Sequence, residues 1–259
     1  MSDEILVSRD GAIATVTINR PDRMNALNLP VWRGLTQAFL DLSTDAEVRA
    51  IVLRGSGTKA FAPGADIEEF DTLRATAEQA KAYDVIMRGA LDAVKNCPQP
   101  VIAMIHGPCV GGGLELACCC DLRLAGRSGR FGVPINKISV VMAYPEIAVI
   151  RAIAGPAVAA EILLEARIFD AEEALRKGLV NRVHDDETLE GEVLAAAKRM
   201  AQGAPLVNRW HKRLLKRLAD PAPISEAELD ECYAFLDTAD YREGQAAFKE
   251  KRKPVFTGR

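Results

Sequence analysis

The chain has 259 residues and a net charge of −3, and 49% of its residues are hydrophobic and 27% are charged. This composition is typical of a folded globular protein and excludes the disordered and fibrous classes. The weak negative charge gives no general reason to expect a nucleic-acid partner.

The chain shows no targeting or membrane-spanning signal. Its N-terminal sequence, MSDEILVSRDG, lacks the basic and apolar segments of a signal peptide. No window approaches about 18 uninterrupted apolar residues, so we expect no spanning helix and a cytoplasmic location. The six cysteines include three adjacent ones and no C-x-x-C pair. This spacing predicts buried free thiols and no metal site.

In the first half of the chain, strand patterns alternate with helix patterns. Two β-prone runs, ILVSR and AIATVTIN, flank a D-G turn and predict a hairpin. Residues 31–43 have the period of an amphipathic helix, and AIVLRG (50–55) is typical of a buried strand. One long helix is predicted over 67–97, followed by a second buried strand in PVIAMIHG (100–107).

Helical patterns dominate after residue 145. They cover residues 157–166, 171–177, 187–202, 205–218, 225–238 and 241–252, with a candidate short strand at 180–183. Strands that alternate with helices indicate crossover connections and a largely parallel sheet. The sequence therefore predicts an α/β protein whose C-terminal part is helical.

A single carboxylate, Glu115, lies in an otherwise small and apolar segment, GPCVGGGLELACCCD (107–121). The pattern is a strand end, a glycine turn and a helix start, and such a turn leaves backbone N–H groups free to bind an anion. Glu115 shares a helix face with Gly112, three residues before it. Burial raises the pKa of a carboxyl group towards the range used in acid–base catalysis. The alternative is a structural glutamate bonded to a neighbouring backbone group.

A second loop, FAPGADIEEF (61–70), also joins a strand to a helix start. Neither loop has the G-x-x-x-x-G-K-[ST] or G-x-G-x-x-G spacing of a phosphate site. Two N–H donors from neighbouring loops would instead suit a transient oxyanion such as an enolate. We interpret Asp66 as a helix cap. The alternative is two ordinary strand–helix turns.

Five segments, in order along nearly the whole chain, carry a family resemblance. They are NRPDRMNAL (19–27), KAFAPGADIEEF (59–70), IHGPCVGGGLELACCCDLRLAG (105–126), A-x-x-x-GLVNRV (174–183) and AFKEKRKPVFTGR (247–259). Together they resemble the enoyl-CoA hydratase/isomerase, or crotonase, superfamily. The G-A-D-I and G-G-G-x-E-L-A pieces are specific to that family.

This resemblance implies a crotonase-like spiral of ββα units. Residues 1–200 would form the core for acyl-CoA binding and catalysis. Residues 201–259 would form a helical region that covers the active site and assembles a homotrimer or a dimer of trimers. The implied substrate is an acyl-CoA thioester. No cofactor is implied, because coenzyme A enters as part of the substrate.

The resemblance also implies roles for individual residues. The backbone N–H groups of Ala65 and Gly112 would form an oxyanion hole, and Glu115 would be the acid/base residue. Coenzyme A would be bound by two loops and by one C-terminal lysine, Lys251 or Lys253, of a neighbouring subunit. These residues are Arg23, Met24, Ala26, Ala65, Asp66, Ile67, Glu68, Gly112 and Lys251.

One position departs from the family pattern. Hydratases that the chain resembles carry a second glutamate in a segment like F-G-x-P-E, where this chain reads FGVPI (131–135). The isoleucine at 135 cannot activate water. Tyr144 and Glu146, a few residues on, are the candidate catalytic replacements. Their alternatives are packing for Tyr144 and a favourable acid in a first helical turn for Glu146.

The leading hypothesis is therefore an acyl-CoA enzyme of the hydratase/isomerase type that stabilises a thioester enolate. The alternatives are a crotonase-type decarboxylase or hydrolase, and a CoA-binding protein with little catalysis. A nucleic-acid-binding role would depend on one basic segment, NRWHKRLLKR (208–217). We interpret that segment as an amphipathic helix at a subunit interface, and expect neither nucleic acid nor membrane as a partner.

Overall fold

A computed structural model of the protein describes residues 3–259. The predicted N-terminal hairpin is confirmed, with strands β1 (Ile5–Asp10) and β2 (Ile13–Ile18) paired antiparallel. Gly11 in the turn has φ +55°, a conformation that glycine adopts without strain.

The remaining strands complete two sheets. They are β3 (Ala50–Gly55), β4 (Val101–Ile105), β5 (Pro108–Val110), β6 (Leu122–Gly126), β7 (Arg130–Gly132), β8 (Phe169–Asp170) and β9 (Arg182–His184). The main sheet has the order β1-β2-β3-β4-β6-β9, and every pair beyond the hairpin is parallel. The smaller sheet has the order β5-β7-β8. The prediction of a largely parallel sheet is confirmed.

Ten α-helices cover the two faces of the main sheet and form the C-terminal region. They are α1 (Leu29–Thr44), α2 (Phe70–Leu73), α3 (Ala77–Asn96), α4 (Gly112–Cys119), α5 (Tyr144–Glu165), α6 (Ala171–Arg176), α7 (Asp186–Gln202), α8 (Pro205–Arg217), α9 (Glu226–Glu231) and α10 (Ala239–Glu250).

Successive residues of one strand supply the cores on both faces of the main sheet. In β3, Ile51 and Leu53 belong to the larger core, which includes α1, α3 and α4, whereas Val52 packs in a smaller core with α7. Side chains alternate between the two faces of a strand, so a continuous apolar run is what a sheet covered on both faces requires.

The bounds of two predicted helices differ clearly from the structure. The long helix predicted over 67–97 is broken between α2 and α3, where Thr76 caps α3 through a capping box with Gln79. The helix predicted to begin at residue 157 begins at Tyr144 instead. Strands β5, β6, β7 and β8 were not predicted. Each is only two to five residues long, so a periodic pattern has too few residues to reveal it.

Helix α5 is long and apolar enough to cross a membrane by length and composition, contrary to the expectation from the sequence. Gly155, at φ +80°, interrupts its helical geometry just before Pro156. The first turn also buries a carboxylate, Glu146, against the cavity described below. We therefore interpret α5 as a helix of the α/β fold.

Candidate active site

The glycine turn before α4 leaves one backbone N–H group free. Gly111, at φ +52°, is the N-cap, and its own N–H donates to Gly132 O at 2.9 Å. Gly112 is the first helical residue, so its N–H has no intrahelical acceptor, and it donates to no other group within residues 3–259. A Cβ atom at Gly113 would lie 2.1 Å from Ala62 O, so only glycine allows the two loops to pack this closely.

The loop after β3 leaves a second N–H group free. Leu27 N donates to Gly64 O at 2.8 Å and Asp66 N donates to Leu27 O at 2.9 Å, which fixes the loop on both sides of Ala65. The Ala65 N–H itself has no acceptor in the described part of the chain. A Cβ atom at Gly112 would lie 3.8 Å from Ala65 N. The two free donors predicted from the sequence are therefore neighbours.

The loop at residues 20–28 supports this arrangement. Asn25 is buried, and its amide donates to Ala60 O at 2.8 Å and to Ser56 O at 3.1 Å. Arg20 pairs with Asp66 at 2.9 Å, and the Asp66 carboxylate accepts from Glu68 N as the predicted cap. These contacts join the loop to the segment that carries Ala65.

The other proposed CoA-binding side chains lie at the rim of this region. Arg23 and Glu68 form an exposed ion pair at 2.5 Å. Met24 and Ile67 are exposed, and Ile67 also lines the cavity. Ala26 N donates to Arg23 O, which keeps this turn compact. An exposed apolar rim beside two free N–H groups is compatible with a bound ligand that extends out of the cavity.

A cavity with about 1020 Å³ of empty space, its open mouth included, contains both free N–H groups and Glu115. Its wall is mostly apolar, and its charged groups lie together. The lining includes Trp32, Ile67, Phe70, Met87, Val110, Ile135, Ile138, Val140, Val141 and Met142, with Arg74, Asp84, Glu115 and Glu146. A concave, mostly apolar pocket with a few convergent polar groups is the usual form of a small-molecule site.

Glu115 is the carboxyl group nearest in sequence to the free donor of Gly112. Its side chain is 7% exposed and has no hydrogen-bond partner within residues 3–259. Burial, with a smaller contribution from the charge of Glu146, raises its pKa from 4.5 to about 8. Glu115 is therefore mostly protonated at neutral pH and can donate a proton to a group in the cavity.

The structure separates the two candidate replacements for the missing glutamate. Glu146 is 3% exposed and lines the cavity. Tyr144 is 91% exposed and is not part of the cavity wall, because the first turn of α5 directs it to the surface. Ile135 does line the cavity. Lys251 is the C-cap of α10 and is exposed, and it does not line the cavity, so its contact with CoA in a neighbouring subunit stays a prediction.

Sequence reasoning missed the cations of the site. Arg88 Nε donates to Glu146 Oε1 at 2.7 Å, and Arg74 lies between the rings of Phe70 and Tyr83. Arg88 follows Asp84 by four residues in a predicted helix. Ion pairs on the solvent-exposed face of a helix have the same spacing, so it does not indicate a site. The pattern therefore gave no sign that Arg74 lines a cavity or that Arg88 contacts a cavity carboxylate.

Comparisons with known proteins all give the same family. The family model described as "Enoyl-CoA hydratase/isomerase" matches residues 8–259. A "Probable enoyl-CoA hydratase echA8" of Mycobacterium bovis is 38% identical over 261 residues, covering 99% of both chains. A "Crotonyl-CoA hydratase" of Syntrophomonas wolfei is 33% identical over 98% of both. The crystal structure of an "enoyl-CoA hydratase/carnithine racemase" from Magnetospirillum magneticum has 71% identity and a TM-score of 0.99, over 100% of this chain and 97% of that one.

Proposed function

Since the chain belongs to the enoyl-CoA hydratase/isomerase family, we propose that it catalyses the reversible hydration of short 2-enoyl-CoA thioesters through an enolate. Family membership makes it an acyl-CoA-metabolising enzyme of the hydratase/isomerase type. The choice of hydration and of a short acyl chain follows the name of the Syntrophomonas relative. One observation carries the proposal: two neighbouring free N–H groups and a buried carboxyl group with a raised pKa share one cavity.

The free N–H groups of Ala65 and Gly112 would bind the thioester oxygen. As the enolate forms, negative charge grows on that oxygen, and fixed donors in a cavity stabilise it more than the neutral ground state. The N-terminus of α4 adds the partial positive charge of its dipole. Removing one such donor typically costs about 2.7–4 kcal/mol of transition-state stabilisation.

Glu115 would transfer the proton at the α-carbon. In the hydration direction its protonated form donates to the enolate carbon, and in the reverse direction its carboxylate removes the α-proton. A pKa near 8 leaves both forms accessible at neutral pH, which is what a group with both tasks needs.

The remaining assignments extend the proposal to the whole protein. Coenzyme A would follow the rim formed by Arg23, Met24, Ala26 and the segment 65–68, with Lys251 contributed by a neighbouring subunit of a trimer or hexamer. Residues 1–200 would serve as the catalytic core and 201–259 as the assembly region. We place the enzyme in the cytoplasm, without a further cofactor.

Exchange of α-protons for deuterium tests the enolate step. Butyryl-CoA in D₂O should lose its α-proton NMR signal with the wild-type protein, and Glu115→Gln should slow this exchange by about 10²–10⁴-fold. Calorimetry should show butyryl-CoA binding nearly unchanged, because the loops that bind it stay intact. Absence of exchange in the wild type would contradict the proposal.

A panel of thioesters then identifies the overall reaction. We expect hydration of crotonyl-CoA to be fastest. Carnitinyl-CoA is included because of the name of the Magnetospirillum relative. Release of CO₂ or of free coenzyme A as the main product would instead support the decarboxylase or hydrolase alternative. Binding without turnover would support a CoA-binding protein.

A further inference from the structure

Three acidic side chains line the cavity: Asp84, Glu115 and Glu146. Asp84 and Glu146 each have one buried oxygen without a hydrogen-bond partner within residues 3–259, and that of Asp84 faces Arg74 at 3.6 Å. Glu146, in the first turn of α5, accepts from Arg88 Nε through Oε1 at 2.7 Å. Its Oε2 is buried and has no hydrogen-bond partner within residues 3–259. A buried carboxylate oxygen without a donor is destabilising and uncommon in folded proteins. The free acceptor therefore points to a donor that enters with the substrate.

The charges around Glu146 are balanced. Arg88, from α3, also donates to Asp84 Oδ2 at 3.2 Å, and Asp84 Oδ1 lies 3.6 Å from Arg74. Two guanidinium groups thus face two carboxylates, and Arg88 gives Glu146 the countercharge that a buried carboxylate needs. Glu115, from α4, is the other carboxyl group on this wall, and burial together with the charge of Glu146 raises its pKa.

The two carboxyl groups have different environments. Burial raises the pKa of Glu115, which has no cation bonded to it, whereas Glu146 accepts a hydrogen bond from an arginine. Two carboxyl groups with different environments in one pocket can supply an acid and a base together. Ile135, on the same wall, offers no polar atom for either task.

We propose that Glu146 is the general base that activates the attacking water, with Arg88 as its positioning residue; this assignment rests on the hydration proposed above. Oε2 of Glu146 takes a proton from water while the water oxygen bonds to Cβ. The electron pair of the Cα=Cβ bond moves to give the enolate, whose oxygen is held by Ala65 and Gly112. Glu115 then gives its proton to Cα. Water has added across the double bond, and proton exchange with solvent restores both carboxyl groups.

Glu146→Gln tests the base. Glutamine keeps an acceptor for Arg88 but cannot take a proton. We expect crotonyl-CoA hydration to lose about 10²–10⁴-fold in kcat, with KM changed only a few-fold. Deuterium exchange at the α-carbon of butyryl-CoA should continue within a few-fold of the wild-type rate, because that step uses Glu115. Glu165→Gln, at the exposed end of the same helix, is the matched control and should leave kcat unchanged.

Arg88 is tested by comparing kcat for hydration with the rate of α-exchange. Arg88→Met removes the hydrogen bond to Glu146 Oε1 and should lower kcat for crotonyl-CoA hydration by up to about 10²-fold, with KM changed only a few-fold. Deuterium exchange at the α-carbon of butyryl-CoA should continue near the wild-type rate, and Arg88→Lys should restore most of kcat. A purely structural arginine would lower thermal stability and leave the ratio of hydration to α-exchange unchanged.

The outcomes separate this assignment from the function on which it rests. Full hydration activity in Glu146→Gln, or an unchanged kcat for hydration in Arg88→Met, would overturn the assignment while exchange at the α-carbon still supported the enolate chemistry. Loss of α-exchange in folded Glu146→Gln would also overturn it, because Glu146 would then act at the α-carbon. Absence of α-exchange in the wild type would remove the proposed function itself.

Discussion

At the scale of single residues, the protonated state of Glu115 makes stability depend on pH. The folded chain holds this proton up to about pH 8, and the unfolded chain releases it near 4.5. The contribution of this carboxyl group to the free energy of unfolding is therefore fully present below about pH 4.5 and is lost as pH rises through about 8. The shift corresponds to at most roughly 5 kcal/mol, at about 1.4 kcal/mol per pKa unit.

Glu115→Gln should remove this loss, since an amide does not ionise. We expect the free energy of unfolding of the variant to exceed that of the wild type by a margin that grows between pH 5 and pH 9. Urea titrations of both proteins at the two pH values measure that margin. A margin independent of pH would show that Glu115 is already ionised in the folded protein at pH 5.

Gly113 keeps the two catalytic loops in contact. In Gly113→Ala the new Cβ would meet Ala62 O at 2.1 Å, so one loop must shift, and we expect a loss of about 1–3 kcal/mol of stability together with most activity. Gly89, within α3, has no atom within 4 Å of a Cβ position. Gly89→Ala is the matched control and should stabilise by about 0.5–1 kcal/mol with activity retained. Equal stability of the two variants in urea would argue against the close approach.

The backbone features of the site could be predicted from local sequence, and the side-chain network could not. Strand, glycine turn and helix start follow one another directly, so the two loops with free N–H donors and the buried Glu115 were predicted from short segments. The family resemblance then named Ala65 and Gly112 as the donors. The contact between Arg88 and Glu146 joins residues 58 apart in the chain. A local sequence pattern does not show which charged residues on different helices form ion pairs. The pair between Arg88 and Glu146 is therefore evident only from the three-dimensional structure.

At the scale of elements, helix α8 is attached to the sheet through one buried lysine. Lys212 Nζ donates to Asp121 Oδ2 at 2.6 Å and to Gln99 O at 2.9 Å, and its side chain is 7% exposed. Asp121 also accepts from Val101 N at the start of β4. The pair therefore connects the C-terminal helices to the central strands.

Lys212→Met should destabilise the protein by about 1–3 kcal/mol, because it leaves the partly buried carboxylate of Asp121 without its cation. Arg213→Met, at the next position of the same helix, breaks only an exposed pair with Glu231 and should change stability by less than about 1 kcal/mol. Thermal unfolding of both variants measures the difference. Similar melting temperatures would show that α8 depends on other contacts.

Some helices and strands could be predicted accurately from the sequence, and others could not. The strands β3 and β4 are apolar runs of five or six residues and were predicted within one or two residues. The break between α2 and α3 was not predicted, because the residues that precede and follow it within residues 70–77 are good helix formers. Its cause is the Thr76 capping box, a side-chain contact that competes with helix continuation.

At the scale of the whole molecule, the C-terminal region exposes more apolar surface than one chain needs. Leu215 and Phe248 are exposed, as are Leu164 at the end of α5 and Val141 beside the cavity. Such exposure is characteristic of surfaces that associate. We expect light scattering to give three or six times the 28.1 kDa mass of one chain. A mass of 28.1 kDa at micromolar concentration would contradict assembly.

The burial of the cysteines determines which thiols of the folded protein can react with a thiol reagent. Five of the six thiols are buried, and Cys232 at the end of α9 is exposed. Burial raises the pKa values of the five buried thiols, which are Cys97, Cys109, Cys118, Cys119 and Cys120. Thiolates react and buried thiols do not. A chromogenic disulfide reagent should therefore titrate one thiol per native chain and six after denaturation. A fluorophore attached through maleimide chemistry would enter at Cys232 alone, without any engineered substitution.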